Sequence, residues 1–228
     1  MRRLLLTAVV VALALPSSLY GQRGLSIRQG ESDAESILIL HALGYPGYWW
    51  DHTDLTVAVQ AQPGVDPALL AAVHEAIADW DAVLRKEFGG LITLTDVTDD
   101  DRSAHKADIV LHYVPTAGGV VFAGYAICGD HKCNNIIVRS DLPPGFGGRT
   151  YSPLHLYRVT LHELGHALGL GHALPLETSN DLMAYGWIIE GEQPILSNCD
   201  IKGLEHVFAW ALEGVDPYPP TMPLVSCQ

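Results

Sequence analysis

The sequence predicts an α/β domain of the α+β type, with strands and two main helices followed by a smaller C-terminal part that holds a final helix. Three observations predict it. Runs of strand-forming residues recur at 55–60, 91–97, 107–114 and 135–140, two stretches carry apolar residues at helical spacing over 68–88 and from about Leu154, and a third such stretch closes the chain over 197–212. With 48% hydrophobic and only 17% charged residues, the 228-residue chain has apolar surface enough for a buried core.

The N-terminus begins with Arg2 and Arg3 followed by an apolar run over 4–15, the layout of a secretory signal and too short to span a bilayer. Residues 1–21 are therefore expected to be a signal peptide, cut between Ala14 and Gln22, and the protein to be secreted or otherwise exported. No later stretch reads as a membrane span. Residues 22–47 are polar up to Ser36 and apolar from Ile37 to Leu40, which suits an N-terminal arm or a short pro-segment; no cysteine precedes Cys128, so a pro-segment could not inhibit through a thiol. The main domain is expected over 48–228. Turn residues at 44–47 lead into it, and it opens with the aromatic cluster Tyr48, Trp49 and Trp50 and the first strand.

Asp66 is a good N-cap and Pro67 suits the first helical position, so a helix starts there. Leu69, Leu70, Val73, Ile77, Trp80, Val83 and Leu84 form its apolar face, and Gly89 with Gly90 stops it. His74 falls on its flank. Asp96 and the run Asp99, Asp100, Asp101 offer carboxylates to Ca2+, but EF-hand spacing is missing and a solvated turn is the favoured reading. His112, inside the third strand run, reads as structural. The stretch between Gly118 and Ile127 mixes strand residues with glycines, as an edge strand does, and such an edge can accept an extended peptide; an ordinary glycine-broken hairpin fits equally. A loop follows at 143–148, and Ser197 with Asp200 three residues later marks the N-cap of the closing helix.

The formal net charge of −13 argues against a surface for nucleic acid or anionic membrane, which needs clustered Lys and Arg. Four cysteines in an exported chain suggest two disulfides; of three pairings, Cys128 with Cys133 and Cys199 with Cys227 is favoured, the second tying down the tail.

The chemistry is concentrated in residues 162–172. His162 and His166 are four apart, so on a helix both rings leave one face and can grip a single ion. Glu163 lies next to the first ligand, where it can reach a water on the metal without ligating it. Gly169 can take a positive φ, end the helix and let the chain return with His172 as third ligand. Three neutral imidazoles leave one open position on a tetrahedral Zn2+, the mark of a catalytic rather than a closed structural site. Such an ion lowers the pKa of its water toward about 7, and Glu163 can take that proton and pass it to a leaving amine.

This motif, with Met183 following in Asp181-Leu182-Met183-Ala184-Tyr185, resembles the metzincin clan of zinc endopeptidases and their HExxHxxGxxH signature. The flanking runs Tyr48-Trp49-Trp50, Ala107-Asp108-Ile109, Gly118-Gly119-Val120 and the stretch 196–204 are similar to the matrixin branch. The resemblance implies a metzincin-like zincin fold, a twisted mixed sheet with two main helices and a C-terminal subdomain holding the Met-turn. It also implies Met183 as the hydrophobic base under the ion. Matrixins usually have proline two residues after that methionine, whereas Tyr185 stands here, as in astacin-like and serralysin-like members; it is a candidate transition-state donor, or a wall of the specificity pocket. The reading is a secreted zinc endopeptidase acting on peptide or protein substrate. Its rivals are a zinc-holding interaction module without catalysis and a narrow-specificity zinc aminopeptidase or amidase.

Overall fold

A computed structural model of the chain describes residues 27–40, 50–100, 104–114, 124–127, 134–139, 151–177, 179–184, 194–214 and 224–228. The signal-like N-terminus, Cys128, Cys133 and Tyr185 lie outside them. The main sheet has five strands in the order β4-β3-β5-β7-β6, formed by β3 (Asp54–Ala61), β4 (Thr93–Asp96), β5 (Ile109–Val114), β6 (Gly124–Ile127) and β7 (Asn135–Arg139). β3 pairs in parallel with β4 and β5, and β5 with β7, whereas β6 runs antiparallel to β7 at the edge. The mixed sheet expected from the sequence is thus present. In β5 the alternation is clean, with Ile109, Leu111 and Tyr113 buried; β3 loses it at Val57, Ala58 and Val59, all buried, because a central strand is covered on both faces.

Two long helices cover this sheet. α1 (Pro67–Glu87) starts where Asp66 Oδ1 accepts the Ala68 N–H at 2.8 Å, with proline at the first position, and stops at Gly89 and Gly90, both with positive φ. Leu69, Val73, Ile77, Trp80, Val83 and Leu84 are buried along one face, each aliphatic side chain worth about 1.5–3 kcal/mol of burial. α2 (Pro153–Ala167) is capped by Ser152 Oγ accepting the His155 N–H, again ahead of a proline. α1 lies against β3 and β4, α2 against β6 and β7, and the helices pack on each other. Trp80, fully buried between them, donates its indole N–H to the Leu161 carbonyl at 2.9 Å.

The segment before the main domain is built into the fold. β1 (Arg28–Gly30) pairs in parallel with β9 (Ile195–Ser197). β2 (Ser36–Ile39) is the middle strand of a second sheet, between β8 (Leu170–Leu174) and the C-terminal β10 (Leu224–Ser226), in the order β10-β2-β8. β1, β2, β8 and β10 are too short and too irregular in pattern to be read locally. The closing helix is a second difference: it divides into α3 (Asn198–Val207) and α4 (Ala209–Glu213) at Phe208, whose φ of −102° and ψ of 14° leave helical geometry. Phe208 is fully buried, while Leu212, expected on the same apolar face, is 36% exposed. α3 does open with the expected capping box between Ser197 and Asp200. The tail is anchored as expected by the Cys199–Cys227 disulfide.

His74 and His112 hold structural posts. His74 Nδ1 lies 2.5 Å from Asp96 Oδ2, and His112 Nε2 3.3 Å from Asn135 Oδ1. Asp96 is also the acceptor for the Thr98 hydroxyl and N–H, so its carboxylate closes a turn. Among the described residues no helix is long and apolar enough to cross a membrane.

Candidate metal centre

α2 presents His162 and His166 one turn apart, then ends at Leu168. Gly169 follows with φ of 109°, a conformation that side chains other than glycine's rarely adopt, and reverses the chain into β8. β8 brings His172 back to the helix. Ring centroids are 4.7 Å apart for His162 and His166, 4.8 Å for His166 and His172, and 5.5 Å for His162 and His172. Their candidate ligand atoms all lie within 4.8 Å of one another.

The rings are oriented by the backbone. His162 Nδ1 lies 2.7 Å from the Leu182 carbonyl oxygen, and His166 Nδ1 lies 2.8 Å from that of Leu170. A carbonyl can only accept, so each Nδ1 carries the proton and each Nε2 keeps its lone pair, as a ligating imidazole must. Burial, and then its neighbour His166, hold His162 well below the usual imidazole range; burial and His172 push His166 down to about 4. Burial also lowers His172. Three neutral imidazoles without a thiol or carboxylate among them fit Zn2+ with an open position.

Glu163 sits on the same turn, 6% exposed. Burial pushes its carboxyl up to about 8 against the pull of a hydrogen bond from the Ala126 backbone. Its Oε2 is buried with no hydrogen-bond partner among the described residues. Edge strand β6 lies directly on it, since a Cβ at Gly124 would stand 2.8 Å from Glu163 Cγ and 2.8 Å from Val159 Cγ1.

Met183 is fully buried beneath the histidines. A Cβ at Gly165, between the two helical histidines, would lie 2.4 Å from Met183 Sδ, so the helix backbone rests on the thioether. Ala184 N donates to the Asp181 carbonyl at 3.0 Å, closing the turn, and the Met183 carbonyl accepts from Ala173 N of β8 at 2.9 Å. The turn is thereby joined to the strand that bears His172.

Asp181 was not singled out by the sequence and proves central. Fully buried, it accepts from Met183 N at 2.9 Å through Oδ1, and from the Ser197 and Ser32 hydroxyls at 2.6 Å and 2.8 Å through Oδ2. Asp200 is buried beside this knot, accepting from Ser197 N at 2.8 Å; burial and then the Asp181 charge push its carboxyl well up, favouring the protonated form. The available signals were the short spacing of Asp181 before Met183 and the glycine between the two helical histidines.

Residues 146–209 match the family model described as matrixin. The interstitial collagenases of Sus scrofa and Bos taurus are 27% and 26% identical over 195 residues, covering 77% of this chain and 36% of each relative. The chain thus spans about a third of the length of these relatives. Among solved structures, High choriolytic enzyme 1, a hatching enzyme zinc-protease from Oryzias latipes, is 16% identical with a TM-score of 0.31, covering 57% of this chain and 52% of that one. The segment similar to the matrixin model thus contains the three histidines, Glu163 and Met183.

Proposed function

We propose that this chain is an exported zinc-dependent endopeptidase in which His162, His166 and His172 hold the ion and Glu163 is the general base and then acid. The observation that carries the reading is Glu163, a buried carboxyl with an unpartnered oxygen, adjacent in sequence to the first ligand of an all-imidazole set. Leaving such a group unsatisfied costs about 1–3 kcal/mol, which a purely structural metal site has no reason to bear. When bound, zinc supplies Lewis acidity toward an amide carbonyl and acidifies a water at its open position.

The chain's own residues do the rest. The Leu182 and Leu170 carbonyls hold the first two rings in the ligating tautomer. With a cation held by the three imidazoles, the neighbouring Glu163 carboxyl would be drawn back to its ionised form, in which it can take a proton at Oε2 and return it to the leaving amine nitrogen. β6 is the edge of the main sheet, so a peptide laid extended along it would gain main-chain hydrogen bonds within reach of Glu163. Tyr185 remains the further candidate for stabilising transition-state charge. Export is supported by the signal-like N-terminus and by the disulfide between Cys199 and Cys227.

The test is incubation of the mature protein with a mixed protein substrate, with and without a chelator, followed by mapping of the cuts. Internal cuts that a chelator abolishes and zinc restores are expected. Glu163→Ala should stay zinc-loaded and lose about 10²–10⁴-fold in rate. Chelator-insensitive cleavage, or full activity in Glu163→Ala, overturns the mechanism; trimming confined to the N-terminus would mark an aminopeptidase, and zinc binding without cleavage an interaction module.

A further inference from the structure

We propose that the N-terminal arm, residues 27–40, is a permanent brace of the metal centre that positions His172 and the Met183 turn, and that the active protein keeps it. The inference rests on the metal-site reading above. Its first support is the pairing of β2 with β8, the strand that carries His172. Ser36 stands opposite Leu174, Ile37 opposite Ala173 and Ile39 opposite Leu170, with the register slipping at Leu38. Glu35 N donates to the Leu174 carbonyl at 2.7 Å and Leu40 N to the Gly169 carbonyl at 3.0 Å, so the arm holds β8 at both ends. β2 is the only strand neighbour of β8 among the described residues.

The second support is the closeness of fit at the ligand. A Cβ on Gly171, the residue before His172, would meet Leu38 Cβ at 2.6 Å and the Leu38 carbonyl oxygen at 3.0 Å. The two backbones touch where the third imidazole is set. Ile37 and Ile39, at 0% and 1% exposure, share one core with Leu168, Leu170, Ala173, Leu204 and Val207. Ile37 also fills the space over Gly203.

The third support is independent of β8. Ser32 donates one of the two hydroxyl hydrogen bonds received by Asp181 Oδ2, and Asp33 Oδ1 accepts from Ser179 Oγ at 2.9 Å and Asn180 N at 3.0 Å. Both ends of that network lie on the approach to Met183. Loss of the arm would bare the edge of β8, withdraw a donor from buried Asp181 and strip β10 of its strand partner. A segment destined for removal would lie over the domain, whereas β2 lies between two strands of it.

The experiment has two arms on the full chain. Intact mass and N-terminal sequencing of the active species should find residues 27–40 present, attached or co-purifying; an active species without them overturns the proposal. In parallel, Gly171→Ala, Gly171→Ala with Leu38→Gly, and His172→Ala are compared for zinc affinity by chelator competition, for the visible spectrum of the Co2+ form, and for apo-protein melting. Gly171→Ala should lose about tenfold or more in zinc affinity and change the cobalt spectrum, since groups that orient a ligand are worth about 10–100-fold in affinity. Removing the Leu38 side chain should restore part of the loss. Unchanged affinity and spectrum in Gly171→Ala, or no recovery in the double variant, refute the brace. If Gly171→Ala does not fold, the mass measurement decides. Zinc affinity that ignores His172→Ala would instead refute the metal reading, which separates the two failures.

Discussion

Replacing Gly165 with alanine sets two effects of similar size against each other, and the structure decides the sign. In an exposed helix interior the change is worth about 1 kcal/mol in favour of alanine. Here the new Cβ would stand 2.4 Å from Met183 Sδ and 3.1 Å from Met183 Cε, where unstrained contacts lie at about 3.5–4.0 Å. Met183 is fully buried, so it cannot swing into solvent. Overpacking of this kind costs about 1–3 kcal/mol, leaving a net loss of about 1 kcal/mol, or about 2–4 °C in Tm for a domain of this size. The strain should reach the metal, because the neighbouring Leu182 carbonyl holds His162 Nδ1; zinc affinity should fall about tenfold. The assays are apo-protein melting and chelator competition, with Met183→Ala as partner: the double variant should cost less than the sum of the two singles. A Tm that rises by about 2 °C with zinc affinity unchanged would refute the contact, since that is what a helix glycine free of Met183 would give.

Gly124→Ala should lower kcat about 10²-fold with zinc content retained, because its Cβ displaces Glu163, and misplacement by about 1 Å costs about that much; wild-type kcat would show that Glu163 is not held by β6. The His74–Asp96 pair should make stability depend on pH. The Asp96 hydrogen bond raises His74 above 6.5, and although burial works to raise Asp96, hydrogen bonds from His74 and Thr98 carry it below 3.8. The pair therefore contributes fully between those two values, and its contribution is lost as pH rises through the raised His74 value or falls through the lowered Asp96 value. His74→Gln should lower Tm more at pH 5.5 than at pH 8.5, by well under about 1 kcal/mol because the pair is partly exposed; equal losses at both pH values would contradict the pairing. Replacing both Cys199 and Cys227 with serine should cost about 3–4 kcal/mol for a link of sequence separation 28, read by denaturant melts, and an unchanged midpoint would mean that the crosslink constrains nothing.

What the sequence determined by itself was whatever local periodicity and short spacing encode. The i, i+4 histidines with Glu163 between them, the Gly169 stop, the Asp66–Pro67 start and the Ser197–Asp200 box all lie within a few residues, so helical geometry alone puts each in place. The strands β3, β5 and β7 were legible for the same reason: a period of two needs no partner to be seen. Only the tertiary structure decided the rest. Leu38 against Gly171 and Ser32 with Asp181, the latter 149 residues apart, depend on pairings that no local pattern predicts, because short strands gain their hydrogen bonds and burial only from each other. The same holds for the carbonyls on His162 and His166 and for Met183 under Gly165. The sequence supplied the candidate ligands and the proposed base; the packing of a distant arm and a buried turn supplied their orientation, because a side chain's direction is set by what surrounds it.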